Sequence, residues 1–288
     1  MLSNVRLTKE ARKDVVDISG KRFDQVTSYS KDDMASMLQI DPLTFKFYCD
    51  WYLIDNKLYY FKSDYMFNEI FLSELAHELG IKCVDFKLAD NGKFTGIISE
   101  SFRRDGFNYY DYMELEREFF LHDSRSIVDF KYLASDAFGE DESKKLLDEI
   151  YKLIAFDVFT GQFDRVPSNV TFELDSKGNI ELAPLCDNGA AFNTTRFNTY
   201  RSCFGDLAFP VDKYIDSCQL ETLKLVRDNL AFYNEFEKLV NINVKDVLER
   251  TLEKYKLKMS ESKKCDLYGF FDEKKDSIER TLAYSKKI

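Results

Sequence analysis

An apolar helical stretch that stops at Gly161, followed by a loop and a short hairpin before more helical text, constrains this chain more than any other feature. Residues 161–191 read GQFDRVPSNVTFELDSKGNIELAPLCDNGAA. Strands are predicted over 169–174 and 179–183, turning at Ser176-Lys177-Gly178. Helical periodicity over 142–159 precedes the hairpin, and helical text resumes after Pro210 and runs with breaks to Ile288.

The first third has a different character. Residues 44–63 read TFKFYCDWYLIDNKLYYFKS, two aromatic and β-branched runs separated by Asp55-Asn56, which predicts a hairpin with Lys62 near its end. Residues 65–79 place Phe67, Ile70, Phe71, Leu75 and Leu79 at helical spacing and stop at Gly80. Two further strands are predicted over 82–88 and 94–100, joined by Asp90-Asn91-Gly92. From about Tyr110 the pattern turns helical, including 126–138. A boundary near 103–106 divides the chain into a strand-rich lobe with one helix, residues 1–104, and a mainly helical lobe, residues 105–288. The length of 288 residues suits one domain or two closely packed lobes. The predicted fold class is α+β and two-lobed, an order compatible with protein-kinase-like folds and with other α+β arrangements.

Charge and composition narrow the partners. A net charge of -10 argues against a general nucleic-acid binder, because phosphate backbones attract clustered Lys and Arg. Cys49, Cys83, Cys186, Cys203, Cys218 and Cys265 form no CxxC pair and read as reduced thiols of a cytoplasmic chain. His77 and His122 are too far apart in sequence to build a zinc site, and His77 reads as a structural residue of the first helix. No signal-peptide pattern and no apolar run of about 18 residues is present, so no membrane span is expected.

The chemistry concentrates in the opening segment. Asp164 and Asn169 lie in the loop after a helix, and Asp187 follows the hairpin, so three oxygen-bearing side chains converge on one end of it. Phosphoryl transfer requires a carboxylate to position the acceptor and hard oxygen ligands for magnesium. Asp164 suits the first role, and Asn169 with Asp187 suits the second. Each residue alone reads better as a cap or turn residue; the set of three favours function.

The same segment resembles the HipA-like kinases, a family that includes bacterial toxin kinases and the smaller CtkA-like translocated kinases. Their D-R-H-x-x-N loop and A-P-[LI]-[YF]-D motif appear here as Asp164-Arg165-Val166-Pro167-Ser168-Asn169 and Ala183-Pro184-Leu185-Cys186-Asp187. The resemblance implies ATP and Mg2+ as cofactors, Asp164 as the catalytic aspartate, and Asn169 and Asp187 as metal ligands. Val166 departs from the pattern, which usually has His there. Within Tyr59-Tyr60-Phe61-Lys62, Lys62 matches the strand lysine that contacts ATP, and Glu69 matches its partner on the following helix, with Glu74 as competitor. Residues 96–102 resemble the segment that passes the adenine ring, which makes Glu100 and Phe102 adenine-pocket candidates. No glycine-rich phosphate loop precedes Lys62; the nearest candidate is Ser19-Gly20, with Thr27, Ser28 and Ser30 nearby as phosphorylation candidates.

The resemblance implies ATP- and magnesium-dependent transfer to Ser/Thr hydroxyls of a protein, with autophosphorylation included and a translocated effector as one setting. Two rivals accompany it. Lipid kinases share a D-R-x-x-x-N loop and a later Asp-x-Gly, here Asp187-Asn188-Gly189, but residues 194–209 offer only Arg196 and Arg201 to an anionic membrane. A pseudokinase serving as a nucleotide-binding or interaction module is favoured by Val166 and the missing glycine loop.

Overall fold

The computed structural model describes residues 5–21, 49–124, 126–162, 164–192, 199–210 and 215–288. The first strands are β1 (Arg6–Leu7), β2 (Val16–Asp17), β3 (Cys49–Ile54), β4 (Lys57–Lys62), β5 (Phe86–Asp90) and β6 (Thr95–Glu100). Five of them form a sheet in the order β2-β5-β6-β4-β3, antiparallel except for the β2–β5 pair. The Asp55-Asn56 turn between β3 and β4 has φ of 48° and 65°, the doubly positive geometry that lets a two-residue loop match the twist of its strands.

Register decides which side chains meet. Tyr60 lies opposite Trp51 and Ser99, Phe86 opposite Ser99, and Lys62 opposite Ile97. The strand period of two therefore puts Trp51, Tyr60, Lys62, Phe86 and Ser99 on one face. Tyr52, Phe61, Ala89 and Ile98 take the other, where Ile18 covers them.

Helix α1 (Met66–Glu78) packs on the Lys62 face through Ile70, which joins Phe86, Leu88 and Ile97. It ends as its sequence predicts: Gly80 has φ of 71°, its N–H donates to His77 and that of Ile81 to Ala76, a paired closure that satisfies the last carbonyls. The strand expected over 82–88 begins only at Phe86. Residues before it leave the sheet and run beside Leu185, with Val84 N–H donating to Leu185 and Leu185 N–H to Lys82. A tertiary pairing with a segment a hundred positions away overrides local strand propensity there.

The second part contains β7 (Phe107–Asp111), α2 (Tyr112–Phe119), α3 (Ile127–Phe138), α4 (Glu140–Thr160), β8 (Thr171–Asp175) and β9 (Ile180–Leu182). It continues with β10 (Thr199–Ser202), β11 (Gly205–Ala208), α5 (Ser217–Asp228), α6 (Leu230–Asn241), α7 (Val244–Lys254), β12 (Leu257–Lys258) and α8 (Glu261–Ser285). Helical text was expected from Tyr110, whereas residues up to Asp111 form β7 and complete a β7-β8-β9 sheet. Pairing with β8 decides this, and Asp111 then caps α2 through a reciprocal capping box with Glu114.

One apolar core joins the two regions. Phe71 on α1 meets Phe192 and Phe271, and Phe271 meets Phe159 of α4. The first strand pairs with the last, Leu7 opposite Leu257. Among the described residues no helix is long and apolar enough to cross a membrane.

Candidate functional site

Lys62 ends β4 on the face that α1 covers, and the residue is buried, 7% exposed. Its ammonium bonds Glu69 of α1 and, at 2.5 Å, Asp187. Burial opposes the charge, but the two carboxylates outweigh it and hold the lysine pKa above its ordinary value. Glu74, the alternative partner, is five residues on and so about 140° around the helix from Glu69. It instead accepts from Lys254 at 2.6 Å and Tyr255 at 3.2 Å.

Glu69 is fully buried, and its second oxygen accepts the Asn188 N–H at 2.9 Å. Beside it, Asn68 Nδ2 donates to the Gly189 carbonyl at 2.8 Å. Gly189 is required for this approach, because a Cβ there would lie 2.7 Å from Tyr65 Cβ and 3.1 Å from Glu69 Oε1. Helix α1 is thereby joined to the segment that carries Asp187.

The loop after α4 brings the other groups in. Asn169 closes a short 3-10 turn, Pro167–Asn169, and its Nδ2 donates to the Asp164 carbonyl at 2.8 Å. Asp187 follows β9 with φ of 57°, a left-handed conformation that Asp tolerates better than most residues. Its backbone carbonyl accepts from Gln162 Nε2 at 3.0 Å. Burial opposes ionisation of Asp187, but the Lys62 ammonium and Arg165 outweigh it, so its carboxyl is held below the usual value. Asp164 behaves oppositely: partial desolvation, followed by the negative charge of Asp187, raises its carboxyl.

A cavity of about 300 Å³ opens between the sheet and this loop. Trp51, Tyr60, Val84, Phe86 and Phe102 supply its apolar wall, and Lys62, Asn169 and Asp187 its polar groups. Glu100 lines the cavity too, but it sits opposite Tyr59 on the far face of the sheet, where Lys57 at 2.7 Å and Tyr59 at 3.2 Å hold its carboxylate. What Glu100 offers the cavity is therefore main chain. Cys186 lies in the wall as a neutral thiol, pushed up to about 11 by burial.

Ser19 and Gly20 are not brought to this cavity. They form the turn after β2, where Ser19 N–H donates to Asp17 at 2.9 Å and Gly20 has φ of 73°. Adjacent Ile18 packs on the sheet face opposite Lys62. Thr27, Ser28, Ser30 and Arg196 lie outside the described residues.

Sequence reasoning assigned no role to Arg165 beyond its place in the motif, and missed Asp157 altogether. Arg165 is 1% exposed, and its Nε and Nη2 donate to the two oxygens of Asp157 at 3.0 and 2.9 Å. Nη2 also donates to Asn188 Oδ1 at 2.7 Å, and Nη1 reaches the carbonyls of Cys186 at 3.1 Å and Asn169 at 3.4 Å. The available signal was Asp157 itself, the lone charged residue in the apolar run Leu153-Ile154-Ala155-Phe156-Asp157-Val158-Phe159-Thr160.

The donor set fits magnesium better than zinc. Among the described residues no group of three or more His, Cys, Asp or Glu side chains could hold a metal. Asn169 and Asp187 offer hard oxygens beside a cavity, the ligand type that Mg2+ takes.

No family model matches the chain, and no curated protein matches it. Among solved structures it is similar to the Helicobacter pylori proinflammatory kinase CtkA, with a TM-score of 0.61 at 15% identity, covering 95% of this chain and 98% of that one. It is also similar to a chain of the Shewanella oneidensis MR-1 toxin–antitoxin complex of HipA, HipB and operator DNA. There the TM-score is 0.55 at 12% identity, covering 93% of this chain and 75% of that one. The chain therefore has the α+β, kinase-like fold of these proteins, strand-rich first and helical after, and the likeness to HipA-like kinases read from its motifs is matched at the level of fold.

Proposed function

We propose that this chain is an ATP- and magnesium-dependent kinase that phosphorylates Ser/Thr hydroxyls of a protein. In this reading residues 1–104 hold the nucleotide and residues 105–288 carry the catalytic loop. The observation that carries it is Lys62, a buried ammonium held between Glu69 and Asp187 at a cavity that Asn169 also lines. That is the arrangement by which a strand lysine, fixed by a helix glutamate, meets nucleotide phosphates.

Trp51, Tyr60, Phe86 and Phe102 would form the apolar wall for an adenine ring, and main chain of residues 100–102 would offer it hydrogen bonds. Lys62 neutralises phosphate oxygens. Asn169 and Asp187 would hold magnesium, which would supply positive charge to offset that of the phosphates. Asp164 orients the acceptor hydroxyl; its proton passes to the Asp164 carboxylate as the oxygen bonds phosphorus and the bond to the ADP oxygen breaks.

The chain's single tryptophan supplies a direct readout, because Trp51 lines the cavity. ATP with Mg2+ is expected to change its fluorescence, and radiolabelled ATP to label the protein itself or a general protein substrate. Asp164→Asn is expected to lower transfer at least about 100-fold while nucleotide binding persists. Retained transfer would refute the role of Asp164.

A nucleotide-binding module without transfer is the second reading, favoured by Val166, which stands 43% exposed beside Asp164. Fluorescence response without label on any acceptor distinguishes it. Phosphoinositide transfer is weaker, since Arg201 already pairs with Asp206 at 3.3 Å; lipid included in the same assay tests it.

A further inference from the structure

The carboxylate of Asp157 sits on the buried side of α4, fully withdrawn from water. Arg165 occupies both its oxygens, and a third donor completes the set: the Tyr200 hydroxyl, 3.0 Å from Oδ2. Tyr200 comes from a different element, β10, and is itself buried. Hydrogen bonds to a desolvated carboxylate are strong, and together the three leave it one orientation.

That orientation propagates. Arg165 grips the carbonyl of Asn169, the carbonyl of Cys186 just before Asp187, and the side chain of Asn188 just after it. One guanidinium therefore spans both limbs that carry the proposed metal-facing groups. Asn188 continues the chain of bonds to Glu69, and Glu69 to Lys62. The separation of Asn169 from Asp187 depends on how Arg165 is turned, and Asp157 and Tyr200 turn it.

We infer that Tyr200 is a positioning residue for the metal-binding pair, acting through Asp157 and Arg165. It touches neither nucleotide nor metal. Its hydroxyl makes the β10–β11 hairpin part of the site, so that a hairpin lying beyond Asp187 in sequence sets the geometry in which Asn169 and Asp187 receive a cation. Burial, and then the charge of Asp157, raises the phenol well above its ordinary value, so it remains a donor at neutral pH. This inference rests on the nucleotide and magnesium reading of the site.

The test compares wild type, Tyr200→Phe and Leu239→Ala, the last a buried core change in α6, away from the cavity. ATP binding is followed by Trp51 fluorescence without metal and through a Mg2+ titration, alongside thermal melting of each protein. Tyr200→Phe is expected to need roughly 10-fold more Mg2+, the lower end for a supporting partner of a metal ligand, with metal-free ATP affinity unchanged. Leu239→Ala is expected to lower the melting temperature without moving the Mg2+ requirement. An unchanged Mg2+ requirement in Tyr200→Phe overturns the inference alone, as does an equal shift in Leu239→Ala, which would mark a general stability effect. No response of the wild type to ATP and Mg2+ overturns the reading of the site and this inference with it.

Discussion

Burial and then the charge of Asp187 raise the Asp164 carboxyl, whereas at Asp187 the Lys62 ammonium in direct contact outweighs burial and lowers it. A carboxyl whose pKa is raised loses its charge earlier as pH falls. A ¹³C titration of the Asp164 carboxyl, assigned by its loss in Asp164→Asn, is expected to give a midpoint above the ordinary 3.8. Replacing Asp187 by Asn removes the repelling charge and should bring that midpoint down. A midpoint at or below 3.8 in the wild type would contradict the desolvation seen here. At this scale the sequence was legible where short motifs named residues that meet: Lys62 pairs with Glu69 and Asp187, and Asn169 donates to the Asp164 carbonyl. It was illegible where a contact joined distant residues. Asp157 stands out locally only as the one charge in an apolar run, which names no partner, yet that carboxylate neutralises the guanidinium on which the loop is built.

Helix α1 and the segment after β9 depend on one another closely. Gly189 permits their contact, so Gly189→Ala should force Tyr65 away and push Glu69 Oε1 from Lys62. Overpacking of this kind costs about 1–3 kcal/mol. The expected outcome is a lower melting temperature together with weaker ATP binding by Trp51 fluorescence; a variant that melts and binds like wild type would show that the segment yields at no cost. The local signals for these elements were sound, since the Asp55-Asn56 turn and the Gly80 stop follow from backbone sterics that a few residues determine. Strand β7 and the delayed start of β5 were not readable. Each is decided by a partner strand or bridge from elsewhere in the chain, Phe107–Asp111 by β8 and the residues before Phe86 by Leu185.

Across the whole molecule, the strand-rich and helical regions share a core. Phe71 of α1 is wholly buried and stacks or crosses Phe192 and Phe271 from the second region, and removing such a ring from water contributes about 1.5–3 kcal/mol. Residues 1–104 expressed alone would expose that face and lose the β1–β12 pairing. They are expected to show no cooperative melting by circular dichroism, whereas a sharp transition in that fragment would mean the sheet and α1 suffice. The Asp55-Asn56 turn, the stop of α1 and the short motifs around Asp164 and Asp187 were set by the sequence alone, because backbone sterics, side-chain periodicity and short motifs act over a few positions. Tertiary structure alone decided that Glu69 rather than Glu74 meets Lys62, that Ser19 and Gly20 form the turn after β2 rather than lining the cavity, and that Tyr200 reaches Asp157. Those outcomes depend on register, helix rotation and burial against segments far along the chain, and such quantities exist only once the chain has closed on itself.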